Sequence, residues 1–104
     1  MQRLSDLLPE AAAALGIEDD LHRARVAAAW ERTIAEHVPA AAGACWVVGL
    51  EDGGLVVAAD EPAVAQELRL RATELLASLS RAPAVGNLRG IRIVVRRDRP
   101  PTVA

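Results

Sequence analysis

The sequence predicts an α+β domain of two layers, with three strands forming a sheet packed on helices in the order α-α-β-β-α-β. Three observations carry this reading. Two short strand-length runs, the β-branched and aromatic Cys45–Leu50 and the apolar Leu55–Ala59, flank Glu51-Asp52-Gly53-Gly54, and Asp-Gly is a hairpin signal because glycine accepts the positive φ of tight turns. A helix follows the second run, with Val64, Leu68, Ala72, Leu75, Leu76 and Leu79 recurring at three- and four-residue steps. Near the end, Ile91, Ile93 and Val95 alternate with Arg92, Val94 and Arg96, the period of a strand with unlike faces.

The elements follow in order. Arg3 to Leu15 is rich in Leu and Ala and meets Gly16, a C-terminal stop; Pro9 either starts the regular part of this helix or kinks it. Glu18-Asp19-Asp20 supplies a cap for a second helix, Leu21 to about Val38. Its inward stripe is Val26, Trp30, Ile34 and either His37 or Val38, and Pro39 ends it. The hairpin comes next. Asp60 then caps the long helix, whose Pro62 is tolerated in the first turn, and Arg69, Arg71, Glu74, Ser78 and Arg81 fall mostly outside its stripe. Ala82-Pro83-Ala84-Val85-Gly86-Asn87 reads as a loop, Ile91–Arg97 as the last strand, and 98–104 as a short frayed tail to a single domain spanning 1–97. The expected core is Trp30, Ile34, Leu55, Val57, Val64, Leu68, Leu75, Leu79, Ile91 and Ile93.

Composition narrows the chemistry. Hydrophobic residues make up 52% of the chain but aromatics only 2%, so Ala, Leu and Val must build the core. No stretch approaches the ~20 apolar residues of a membrane span, and the start, MQRLSDLLPE, lacks the apolar core of a signal peptide. The single cysteine, Cys45, excludes an internal disulfide, and a cytoplasmic protein is expected. His22 and His37 lie near opposite ends of one helix with no cysteine at ligand spacing, so no metal site is expected. No Gly-x-Ser-x-Gly elbow, P-loop or GxGxxG occurs. Glu51 and Asp52 read most simply as solvated turn residues. With nucleophile, base and cofactor loop missing, neither an enzyme nor a cofactor is expected.

Charge is the remaining signal. The net charge is only −2, but it is polarised: residues 1–67 hold twelve acids against four arginines, and residues 68–104 hold eight arginines against two acids. There is no lysine. Arg89, Arg92, Arg96, Arg97 and Arg99 crowd the last strand and its ends, with Arg69 and Arg71 as further candidates. Like charges this dense favour an anionic partner. Single-stranded nucleic acid also wants aromatic stacking, and Trp46 is the one residue placed to supply it, either packed inward or standing on the open sheet face.

The ordered signals together resemble the DciA family. They are Val26-Ala-Ala-Ala-Trp30-Glu-Arg-Thr-Ile34, His37-Val38-Pro39, the hairpin with Asp52-Gly53-Gly54-Leu55-Val56-Val57, Asp60-Glu-Pro-Ala-Val-Ala-Gln-Glu-Leu68, and Ile91-Arg92-Ile93, covering roughly residues 4 to 97. The resemblance implies a KH-like domain and a bacterial operator or loader of the replicative helicase. Three features depart from the family's pattern. Ala35 stands where members usually have Gly, Val64 stands where they usually have an aromatic, and only Asp98–Ala104 stands where many carry a long basic or disordered extension. The resemblance therefore implies that both helicase binding and single-stranded DNA binding are weak here or depend on oligomerisation, with the oligomeric state open. The KH Gly-x-x-Gly loop is absent, so KH-type recognition of RNA does not carry over. The reading is a non-enzymatic DNA-replication accessory protein that binds the replicative DNA helicase and assists its loading on single-stranded DNA. The alternative is a general protein-interaction or scaffold domain that binds no nucleic acid.

Overall fold

The computed structural model describes residues 4–83 and 85–98, with side chains from Asp20 onward. The element order is α1 (Leu4–His37), a 3-10 turn (Pro39–Ala41), β1 (Cys45–Glu51), β2 (Gly54–Ala59), α2 (Pro62–Leu70), α3 (Ala72–Ser80) and β3 (Ile91–Val95). It is α+β, with three helices and a three-stranded mixed sheet.

The order is thus α-β-β-α-α-β, and two helix boundaries differ from expectation. One 34-residue helix runs through Pro9, Gly16 and Glu18-Asp19-Asp20 where two helices were predicted. A glycine inside a helix costs only about 1 kcal/mol relative to alanine, and Gly16 follows four consecutive alanines and a leucine that favour continuation. At about 1.5 Å per residue the helix is roughly 51 Å long, and it sets the long dimension of a molecule measuring 58 × 29 × 23 Å. Among its residues with described side chains, Val26, Ala29, Trp30 and Ile34 are buried and Val38 continues the face just beyond. His37 turns aside to pair with Glu74 on α3, Nδ1 to Oε1 at 3.1 Å.

The second difference is a break at Arg71, where one helix was expected. Arg71 has φ −104 and ψ 9, and its N–H is shared between the carbonyls of Glu67 and Leu68, both at 3.2 Å. The break lets the two halves serve different neighbours. α2 lies against β2 and β3, while α3 lies against α1. Leu68, Leu75 and Leu79 reach zero exposure on either side of it, and Val64 is half-buried. The cap also shifts by one residue. Glu61 rather than Asp60 occupies the N-cap and makes no side-chain cap bond, and Pro62 sits at the start, where its missing N–H costs nothing.

β2 is the central strand, antiparallel to β1 and parallel to β3. The β1–β2 turn places Asp52 at φ 50 and Gly53 at φ 78, the pair of positive φ values that a type I′ hairpin requires. Leu55, Val57 and Ala59 meet the helices and join Trp30, Ile34, Leu68, Leu75, Leu79 and Ile93 in the core, with Ile91 packed at its margin. Cys45 is buried there too, its thiol 3.5 Å from the Ala41 carbonyl, in the role of a small apolar residue. Val95 departs from the inward alternation of its strand: at 40% exposed it lies at the outer edge of the sheet.

Candidate nucleic-acid interface

The helices cover one face of the sheet, and strand pairing decides what stands on the other. Cys45 pairs with Ala59 and Val47 with Val57, all on the helix side, so Trp46, opposite Ala58, faces away. On β3, Val94 pairs with Ala58 and Arg92 with Val56, both on this second face. The N–H of Arg96 donates to the Ala59 carbonyl at 2.9 Å, continuing the ladder and carrying Arg96 to the same side. Trp46, Ala58 and Val94 thus form one row across three strands, with Arg92 and Arg96 on either side of it. Trp46 is half-buried and both arginines are exposed. Of the two orientations open for Trp46, the structure has the open-face one.

A β-bulge sets the far end of this face. The register slips between Val47 and Gly49, leaving Val48 as an extra residue, 39% exposed. Without that slip Leu50 would leave the core; with it, Leu50 pairs with Leu55 on the helix side, and Glu51, opposite Gly54, points to the open face. There its carboxylate accepts from Arg92, Oε2 to Nη2 at 3.0 Å. Sequence reasoning missed this role for Glu51. The available signal was the phase conflict within CWVVGLE, whose inward residues Cys45, Val47 and Leu50 break strict alternation.

The other arginines disperse. Arg89 sits at the entry to β3, its N–H donating to the Gly53 carbonyl at 2.9 Å and its Nη1 reaching the Asp52 carbonyl at 3.4 Å. With Glu51, Asp52, Gly54 and Arg92 it lines an open depression of ≈ 380 Å³. Arg97 leaves the sheet face and lines another depression with Asp60, Glu61, Pro62 and Ala63 at the start of α2. Arg69 lies on the helix layer, with Nη2 bonded to the Ile93 carbonyl at 3.0 Å. Arg71 is held by Glu67 at 2.6 Å and lies 3.8 Å from Glu74. The hydrogen bond to Glu67 and that residue's charge raise the Arg71 pKa above its usual value. Arg99 lies outside the described residues. Arg92, Arg96 and Trp46 are therefore brought together, Arg89 borders them, and Arg69, Arg71 and Arg97 face elsewhere. Among the described residues no three His, Cys, Asp or Glu side chains cluster as a metal site, and no helix is long and apolar enough to cross a membrane.

The family described as the Dna[CI] antecedent, DciA, matches residues 3–93. The chain belongs to the DciA family. No curated protein and no solved structure matches it. Membership gives the chain a DciA-like role tied to DNA replication. The matched stretch includes Trp46, Glu51, Arg89 and Arg92 and stops short of Val94, Arg96 and Arg97.

Proposed function

We propose that this chain is a non-enzymatic replication accessory protein of the cytoplasm that binds the replicative helicase and assists its loading on single-stranded DNA. Its KH-like unit spans residues 1–97. The observation that carries the DNA half is the placing of Trp46, Arg92 and Arg96 on the helix-free sheet face. An indole offers a π-face to one unstacked base, worth about 1–3 kcal/mol, and guanidinium groups on either side meet phosphates. A single aromatic keeps the affinity low. An acidic helix or the hairpin is the surface offered to the helicase.

Fluorescence anisotropy of a labelled oligonucleotide at low and moderate salt tests the DNA half. Binding that weakens with salt and falls on Trp46→Ala or Arg96→Ala is expected; unchanged affinity in both variants overturns the assigned surface. Co-purification with the replicative helicase of the same organism tests the protein half, and no retention at tens of micromolar overturns it. The scaffold alternative draws on the arginines already engaged within the fold, Arg69, Arg71 and Arg92. An absence of DNA binding together with retained helicase binding would favour it.

A further inference from the structure

Arg92 flanks the Trp46 row of the proposed DNA face, and its charge is already answered. Glu51 comes from β1 and Arg92 from β3, so their side chains must meet across the central strand, at 3.0 Å. Two features of the chain make that reach possible. The bulge at Val48 rotates Glu51 onto the open face. Gly54, the β2 residue opposite Glu51, has no side chain to obstruct the crossing. A Cβ at Gly54 would also come within 3.3 Å of the Gly90 carbonyl, so the backbones are close at this end of the sheet. Both partners remain open to water, with side-chain exposures of 61% and 67%, so an incoming anion can exchange with the carboxylate.

We infer that Glu51 is an intramolecular competitor for phosphate: its carboxylate occupies the position on Arg92 that a nucleic-acid phosphate takes, and so limits the affinity of the face. The inference rests on the DNA reading above. In the closed pair, Arg92 and Glu51 contribute no net charge, and among the described residues Arg96 is left to supply positive charge beside Trp46. Binding through Arg92 exchanges one carboxylate oxygen for one phosphate oxygen, which gains less than filling a free guanidinium. Exposed ion pairs are individually weak, so the restraint is a modest one.

The test compares wild type, Glu51→Gln, Asp52→Asn, Arg92→Ala and Glu51→Gln/Arg92→Ala in anisotropy titrations with a labelled oligothymidylate across a salt series. Asp52 is the control, an acid in the same turn and depression whose side chain forms no ion pair among the described residues. Glu51→Gln should bind about two- to five-fold more tightly at low salt. Its log–log salt slope should steepen by about 0.7, the contribution of one further phosphate on a single strand. The gain should exceed that of Asp52→Asn and vanish in the Arg92→Ala background. Equal gains from Glu51→Gln and Asp52→Asn, or a gain that survives loss of Arg92, would show a general charge effect and overturn the inference. If wild type binds through Trp46 and Arg96 but Glu51→Gln binds no better, the inference fails and the DNA reading stands. If neither wild type nor Glu51→Gln binds, both fail.

Discussion

Replacing Trp30 by Phe and by Ala should give sharply different stabilities. Trp30 is 1% exposed and joins α1 to the sheet, yet its indole Nε1 has no hydrogen-bond partner among the described residues. Leaving a buried N–H unsatisfied costs about 1–3 kcal/mol. Phe removes that donor together with two ring carbons, whose lost burial amounts to roughly 1.6 kcal/mol at about 0.8 kcal/mol per buried carbon. The two effects oppose each other, so Trp30→Phe should fall between about 0.6 kcal/mol less stable and about 1.4 kcal/mol more stable than the wild type. Trp30→Ala removes the whole ring and leaves a cavity, a loss of about 3–5 kcal/mol. A domain of this size holds only about 5–15 kcal/mol in total, so that variant should be close to unfolding. Urea denaturation followed by circular dichroism measures both, with equal slopes required for the comparison. A loss of about 3 kcal/mol or more in Trp30→Phe would refute the reasoning, because it would mean that the indole N–H makes a bond worth keeping.

Trp46→Ala should cost about 1–3 kcal/mol of stability, less than Trp30→Ala because Trp46 is only partly buried, while reducing oligonucleotide affinity by about five-fold or more, as read by paired denaturation and anisotropy. Arg96→Ala should lower the salt slope by about 0.7, and Arg92→Ala should do less to affinity because Glu51 already holds that group. Gly53→Ala should cost about 1 kcal/mol or more in thermal or urea unfolding. Gly53 has φ 78, and an added Cβ would lie 2.9 Å from the Arg89 side chain.

What was readable from the sequence was local. Asp52-Gly53 specifies its turn because few residues tolerate consecutive positive φ, and the structure has that turn. Leu68, Leu75 and Leu79 announce their burial by spacing, and the alternation in Ile91–Ile93 announces a strand with one arginine face. The family, too, was recognisable in the order of these signals.

Continuity and phase were not readable. Gly16 looks like a stop, but one glycine is a small penalty against the helix formers around it, and the helix passes through. Arg71 carries no breaking residue, yet the helix breaks there, because α2 must lie on the sheet while α3 turns to α1. Most consequential for function is the one-residue bulge at Val48. A side-chain period of two means that a single inserted residue exchanges the faces of everything after it. Local sequence therefore determined the turn, the stripes and the arginine-rich strand. Only strand pairing decided that Trp46 shares an open face with Arg92 and Arg96, and that Glu51 meets Arg92 there.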